Sequence, residues 1–266
     1  MSAVDEVLEA IDAAMQRGDG ETAVNLAAAA ARAHADDAEM QAAYGDVLMA
    51  FGDAGDACAA YEAAAGLEPQ SSWVWADVAG ARLALADFEA AREAAERAQK
   101  AGDDPEALDV LCRLAERDGD LKRADDLARR AHALEPQAYP LPFRLGAEEF
   151  RALVQLAVEE IPEDFQAALA GDVAILVEPV PPVELLTAES PPLDSRILGL
   201  YEGVSLPERE GSRPALPDRI YLFQHNLEHE ASTRAELIEQ IRVTVFHEVG
   251  HYFGFSDEDL EERDFG

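Results

Sequence analysis

Basic residues are scarce in this chain, which carries 21 lysines and arginines against 55 aspartates and glutamates and has a formal net charge of -34. Such a charge repels phosphate backbones and anionic lipid surfaces, so the composition argues against nucleic-acid and membrane partners. It is compatible with basic segments of other proteins as partners, and equally with a solvated surface that resists aggregation.

Cysteine is also scarce, and long apolar runs are absent. Cys58 and Cys112 fall at helical positions where small, semi-buried residues are expected, so no disulfide framework is indicated. No stretch is apolar for long enough to span a bilayer, and the first residues have neither the basic region nor the apolar core of a signal peptide. We therefore expect a cytoplasmic protein.

A short pattern recurs four times in the first half of the chain. Its copies are GDGETA from Gly18, GDAGDA from Gly52, ADFEAA from Ala86 and GDLKRA from Gly119, at intervals of 33 or 34 residues. A small residue followed by Asp suits a tight turn between two helices. Each copy ends on an alanine, and a second one follows seven positions later: Ala23, Ala57, Ala91 and Ala124, then Ala30, Ala64, Ala98 and Ala131. Small residues at these positions allow paired helices to pack closely.

This pattern resembles the tetratricopeptide repeat over about residues 4–137. Trp75 supplies an early aromatic residue, and Gly45, Tyr61 and Ala64 supply small and aromatic core positions. The resemblance implies an all-α solenoid of four helix pairs over residues 1–138, with a groove that binds a peptide or protein partner. A rigid spacer or dimerisation arm is the alternative use of the same fold.

The composition changes after the repeats. The segment QAYPLPF contains two prolines that obstruct a helix, and it predicts a domain boundary with residues 139–266 as the second domain. Local patterns predict a helix at 148–160, strands at 172–180, 197–201 and 219–223, and surface loops at 181–195 and 207–217. The second domain is therefore expected to be a small α+β unit.

The most specific motif lies in a long predicted helix near the C-terminus. Thr233 and Glu236 form a capping box, so this helix should begin directly after Thr233 and run through the sequence HEVGH. Two histidines four residues apart, His247 and His251, lie on one face of a helix and can bind the same metal ion. Glu248 stands beside them as a candidate general base. The spacing predicts a Zn²⁺ site.

A catalytic zinc site needs a third protein ligand from outside the helix. Gly254 can end the helix in the left-handed conformation and reverse the chain, so that Asp257 returns towards the histidines. Glu258 and Asp259 are close enough in sequence to compete for this role. We expect Asp257 to be the ligand and Asp259 to cap a short helix at 260–263.

From about Leu145 the sequence resembles the small bacterial zincin-like metallopeptidases, which have a minimal zincin fold. The matching stretches are EEFRALVQLAVEEIPEDF, VAILVEP, ILGLYEGVSLPER, PDRIYLFQHNLE and VFHEVGHYFGFSDEDLEE. The resemblance implies a small sheet packed on the active-site helix, with zinc on His247, His251 and Asp257. It also implies hydrolysis of peptide bonds by a zinc-activated water with Glu248 as general base, the repeats binding protein or substrate.

The principal alternative is a catalytically weak pseudo-enzyme in which the repeats act as an interaction scaffold. Hydrolysis of a non-peptide amide by the same metal chemistry is a third, smaller possibility. No methionine follows Met49, so the methionine-containing turn of the larger metzincins is missing. The hydrolase interpretation is preferred because the chain keeps Glu248. A protein that only retained zinc would need the metal ligands but not a general base.

Further expectations concern the surroundings of the site. Tyr201 and Tyr252 are the candidate donors to an oxyanion, although Tyr252 is expected to pack because it is rotated about 100° from His251 on the helix. His225 and His229 lack partners at ligand spacing and are expected at the surface or outside the ligand shell. The strand at 219–223 is predicted to be a sheet edge that an extended peptide could join.

Overall fold

The computed structural model describes residues 3–51, 54–169, 173–209 and 218–261. These described residues fall into two compact units, one within residues 1–139 and 183–195 and the other within residues 140–182 and 196–266. Within the described residues, no helix is both long enough and apolar enough to cross a membrane.

The first unit is built from antiparallel helix pairs. Its helices are α1 (Ala3–Gln16), α2 (Gly20–Ala33), α3 (Ala38–Ala50), α4 (Ala54–Leu67), α5 (Ser72–Ala84), α6 (Phe88–Ala101), α7 (Pro105–Arg117) and α8 (Leu121–Leu134). Each odd-numbered helix packs on the even-numbered helix that follows it. The predicted all-α, tetratricopeptide-like arrangement of four helix pairs is confirmed.

The recurring pattern explains these pairs. The aspartates of three copies cap the second helix of their pair: the Asp19, Asp87 and Asp120 carboxylates accept backbone N–H groups at 3.2, 3.3 and 3.1 Å. The corresponding residues of the second copy, 52–53, lie outside the described residues. The eight alanines of the pattern are at most 6% exposed, and the Tyr61 ring packs over Gly45. Small residues at these points let the helices approach.

The second unit combines helices with a small sheet. In chain order the remaining elements are α9 (Ala147–Glu159), α10 (Glu163–Leu169), β1 (Val173–Glu178), α11 (Val183–Leu186, in the first unit), β2 (Gly199–Glu202), a 3-10 turn (Leu206–Glu208), β3 (Asp218–Phe223), α12 (Gln224–His229), α13 (Arg234–Tyr252) and α14 (Asp257–Glu261). The sequence predicted α9, the three strands and α13, whereas α12 had no periodic signal. The α+β prediction is confirmed.

The sheet has the strand order β1-β3-β2. β3 pairs in parallel with β1 and antiparallel with β2, so the prediction that residues 219–223 form a sheet edge is wrong. The physical reason is burial: every β3 residue except Arg219 is buried, as in a strand covered on both faces. Among the described residues, β1 and β2 are the outer strands.

Helix α13 is the centre of the second core. The Thr233 and Glu236 capping box is present at its start, as predicted. Leu237, Ile241 and Val245 are fully buried against the sheet and α9. Burial of three large aliphatic side chains stabilises the helix by roughly 1.5–3 kcal/mol each, so its C-terminal turn is held on a rigid support.

The segment 181–195 differs from the predicted surface loop. It contains α11, in which Leu186 is fully buried, and the Ser195 hydroxyl donates to the Leu83 carbonyl at 2.7 Å. Prolines exclude long elements but do not prevent a short helix from packing. Of the predicted loop at 207–217, residues 207 and 208 belong to the 3-10 turn, and residues 210–217 lie outside the described part of the chain.

Candidate metal centre

The HEVGH sequence occupies the last turns of α13, and the structure brings three of the predicted residues together. The Nε2 atoms of His247 and His251 are 3.0 Å apart, and Asp257 Oδ1 lies 3.2 and 3.3 Å from them. Ligand atoms of a tetrahedral zinc site with bonds of about 2.0–2.1 Å are themselves about 3.3 Å apart. The three donor atoms therefore have nearly the spacing that such an ion requires.

The turn after α13 brings Asp257 to the histidines. Gly254 has a φ of +86°, its N–H donates to His251 O at 3.0 Å, and the Phe255 N–H donates to Gly250 O at 3.1 Å. These bonds satisfy carbonyl groups at the end of the helix and reverse the chain. The left-handed conformation explains why a glycine stands there.

Helix α14 begins earlier than predicted. Ser256, rather than Asp259, is its N-cap: Ser256 Oγ accepts the Asp259 N–H at 3.2 Å, and the Asp259 carboxylate accepts the Ser256 N–H at 3.0 Å. This reciprocal capping box uses Asp259 and places Asp257 in the first turn. The side chain of Glu258 and residues 262–266 lie outside what the structure describes.

Close packing holds α14 against α13. A Cβ atom at Gly250 would lie 2.4 Å from Leu260 Cδ2, and Leu260 is only 2% exposed. The glycine inside the HEVGH motif therefore permits the close approach of the helix that carries Asp257.

The protonation of His251 suits metal binding. Its Nδ1 lies 3.1 Å from the Phe255 carbonyl, which can only accept, so Nδ1 carries the proton and donates it. The Nε2 lone pair then points at the donor cluster. Hydrogen bonding of the second ring nitrogen to a backbone carbonyl is the usual support of a histidine ligand.

The donor cluster is open on one side. The side chains of His247 and His251 are 26% and 27% exposed, and that of Asp257 is 76% exposed. Three protein donors with an accessible remaining position are characteristic of catalytic zinc sites, whereas structural sites use four protein ligands.

Glu248 lies beside the cluster and is buried. Its carboxylate accepts a hydrogen bond from the backbone N–H of Tyr201 in β2. Burial raises the pKa of Glu248 to about 8, with the Tyr201 bond opposing the rise and repulsion from Asp257 adding to it. A cation on the donor cluster would act in the opposite direction.

The two candidate oxyanion donors are engaged elsewhere. Tyr201 donates its hydroxyl to Asp218 at 3.0 Å, and Tyr252 is fully buried, as its position on the helix predicted. His225 is 7% exposed and pairs through Nδ1 with Glu228 at 2.9 Å, so it is neither at the surface nor in the donor cluster. His229 is half-buried on the same short helix.

Sequence reasoning did not identify the backbone of Tyr201 or the side chain of Asp218 as parts of this region. The contact between Tyr201 and Glu248 and the contact between Tyr201 and Asp218 each join separate segments of the chain. The capping box, the motif and Gly254 lie within one local segment, and local spacing could reveal them.

Comparison with known protein families finds a similarity in the second half of the chain. Residues 170–266 match the family model described as zincin-like metallopeptidase. The match includes all four candidate site residues and begins after α9, so it leaves the predicted resemblance of residues 145–169 outside.

Several solved structures also resemble the chain. They include a crystal structure of MamA protein, 16% identical with a TM-score of 0.43, covering 62% of this chain and 85% of that one. The Sgt2 tetratricopeptide domain from Aspergillus fumigatus is 20% identical with a TM-score of 0.38, covering 55% of this chain and 91% of that one. No curated protein matches the sequence.

Proposed function

We propose that this protein is a zinc-dependent metallopeptidase in which His247, His251 and Asp257 hold the metal ion. The observation that carries the proposal is the convergence of their three donor atoms, 3.0–3.3 Å apart, beside a buried glutamate. Nitrogen and carboxylate donors in this number suit zinc. The family match of residues 170–266 supports the same reading.

Zinc, when bound, supplies Lewis acidity that polarises a peptide carbonyl and makes water more acidic. The protein supplies the proton transfers. Glu248 takes a proton from the attacking water and delivers it to the leaving amine, as a general base and then a general acid. The Tyr201 N–H holds one side of the carboxylate in place.

The substrate would be an extended peptide lying along β2. Among the described residues, this strand is the outer strand next to α13, and its Tyr201 backbone contacts Glu248. A peptide that pairs with the free edge of a strand gains backbone hydrogen bonds without a deep pocket. β2 therefore takes the role that the sequence had assigned to residues 219–223.

The test compares wild type with Glu248→Gln in the full chain. We expect zinc content and thermal unfolding to stay the same while turnover of a peptide library falls by roughly 10²- to 10⁴-fold or more, because the amide keeps the shape but cannot act as a base. Glu239→Gln is the control, since Glu239 lies on the same helix with a 56% exposed side chain. Wild-type turnover in Glu248→Gln would remove this residue from the mechanism, and an inactive wild type would favour the pseudo-enzyme.

A second function belongs to the repeats, which we propose bind a protein partner with a basic segment. The first helices of three successive pairs carry Asp46, Asp77 and Glu106. Burial, with repulsion from Asp46 and Glu106, raises the pKa of Asp77 to about 7. A lysine- or arginine-rich peptide would relieve that repulsion.

Fluorescence titration of the full chain with a basic and an acidic peptide of equal length tests this role. We expect the basic peptide to bind more tightly, and increasing salt to weaken its binding. Equal affinities for the two peptides would contradict charge as the basis of recognition.

A further inference from the structure

A buried ion pair lies outside the donor cluster and is not used by the proposed mechanism. Arg209 pairs through its guanidinium with the Asp218 carboxylate, and the two side chains are 10% and 2% exposed. Arg209 Nε also donates to the Val204 carbonyl at 2.9 Å, and its Cζ lies 4.9 Å from the centre of the Tyr252 ring. A buried ion pair commonly gives little net stability compared with apolar residues of similar volume. The contacts that this ion pair holds in place are therefore more informative than the stability it contributes.

The contacts of Arg209 close a short loop. The bond to Val204 joins the two ends of residues 204–209, and the 3-10 turn lies between them. Within the turn, Ser205 Oγ donates to the Glu208 carboxylate at 2.6 Å and the Glu208 N–H donates to Ser205 O at 3.0 Å. The loop is thus ordered by its own hydrogen bonds and tied to β3 by the ion pair.

Pro207 of this loop packs on the turn that follows α13. A Cβ atom at Gly254 would lie 2.8 Å from Pro207 Cγ. Gly254 has the left-handed φ that reverses the chain, and the next residue, Phe255, provides the carbonyl that orients His251. Asp257 follows two residues later. The proline ring therefore packs on Gly254, where the chain reverses before it reaches Asp257 and its donor atom.

We infer that Arg209 is a positioning residue of the metal centre: its ion pair with Asp218 holds Pro207 on Gly254 and so fixes the turn that places Asp257. This inference rests on the proposed function, because it assumes that the donor cluster binds zinc. Arg209 itself touches neither the substrate nor the metal ion in this role.

The same ion pair is connected to the general base. Asp218 accepts the Tyr201 hydroxyl at 3.0 Å, and the Tyr201 backbone donates to Glu248. The Asp218 carboxylate therefore joins the loop of residues 204–209 to strand β2.

The test measures zinc affinity by competition with a chelator in the full-length protein, together with the visible absorption spectrum of the cobalt-substituted form. Partners outside the ligand shell typically change metal affinity by about 10–100-fold. We expect Arg209→Met to weaken zinc binding within that range and to change the cobalt spectrum. Arg209→Lys should recover part of the affinity, because it keeps the charge but loses the bond to Val204.

Two further variants separate positioning from folding. Pro207→Gly removes the proline ring from Gly254 and leaves the ion pair intact, so it should weaken zinc binding. This variant tests the inference even if Arg209→Met does not fold. Arg219→Met is the matched control in the same sheet, because its ion pair with Glu202 is 40% and 46% exposed, and it should bind zinc like wild type.

The possible outcomes are distinct. Folded Pro207→Gly and Arg209→Lys variants with wild-type zinc affinity and an unchanged cobalt spectrum would overturn the inference while leaving the proposed function intact. A wild-type protein that binds no zinc would overturn both. An equal loss in Arg219→Met would reduce the effect to general destabilisation of the sheet and would also overturn the inference.

Discussion

Asp257 differs from the two histidines in its exposure and its support. It lies on α14 with a 76% exposed side chain, whereas the histidines are fixed on α13. We predict that Asp257→Ala weakens zinc binding by more than roughly 10–100-fold, because a donor atom is lost. That range is typical for mutation of a residue that only hydrogen-bonds to a metal ligand. Competition with a chelator measures the affinity, and circular dichroism checks that the helices remain.

Glu258 provides the matched control for this variant, since it is the next residue and was the competing carboxylate in the sequence. Glu258→Ala should bind zinc like wild type. If Glu258→Ala empties the site and Asp257→Ala keeps it filled, the assignment of the third ligand is wrong.

The candidate site was predictable from sequence where its geometry is local. His247 and His251 share a helix face because a helix repeats every 3.6 residues, and Gly254 predicted the reversal because few other residues tolerate its φ. The tie between Arg209 and Asp218 could not be predicted, since the pairing of two charges nine positions apart depends on how the strands assemble. The Tyr201 backbone donor depends on the same assembly.

Among the elements of the second unit, α12 is fixed by one buried carboxylate. Glu228 accepts hydrogen bonds from Arg144 and from the Leu145 N–H at 3.0 Å each, from Gln224 at 2.8 Å, and pairs with His225. Burial alone would raise the pKa of Glu228, but these hydrogen bonds outweigh it, so the pKa lies below its usual value.

We predict that Glu228→Gln lowers the free energy of unfolding at neutral pH by about 1.5–3 kcal/mol, the range for hydrogen bonds to charged groups. The folded pKa is depressed, so the contribution is complete above the unfolded pKa of about 4.5 and is lost as the pH falls through the folded pKa. The difference between wild type and variant should therefore shrink below about pH 4.5. Urea unfolding at several pH values measures it.

Glu230→Gln is the control at the end of the same helix, because Glu230 is exposed. It should change the stability by less than about 0.5 kcal/mol. A constant difference between wild type and Glu228→Gln from pH 7 to pH 3 would contradict the linkage.

Helices and strands were predicted where residues close in sequence determine them, but the order of the strands was not. The apolar run of β3 is compatible with burial on both faces, which is the property of a central strand. Periodicity cannot separate that case from an edge strand, because neighbouring strands come from distant parts of the chain. α12 was not distinguished from the long helix that follows it, because six residues are too few to show a helical period of their own.

For the whole molecule, the repeats were the most predictable part, since each helix pair packs mainly on its neighbours in sequence. The division of the chain into two units is less simple than the change in composition after the repeats implied. We propose a boundary between residues 138 and 139, but residues 183–195, which follow β1, group with the repeats. Long-range packing of this kind leaves no periodic signal in a proline-rich segment.

The packing of residues 183–195 leads to a prediction about stability in the first unit. Leu186 is fully buried in α11, and Ser195 donates to the Leu83 carbonyl of α5. Leu186→Ala should lower the free energy of unfolding by about 2–5 kcal/mol, because it removes buried apolar atoms and leaves a cavity. Val183→Ala, on the same short helix, should change it far less, since Val183 is 43% exposed.

Hydrogen exchange of the full chain locates this effect. In Leu186→Ala the amides of α5 should exchange faster than in wild type, because local opening requires less free energy when packing is lost. The amides of α13 should change less, since that helix belongs to the core of the other unit. Faster exchange confined to α13, with α5 unchanged, would mean that residues 183–195 stabilise the second unit rather than the repeats.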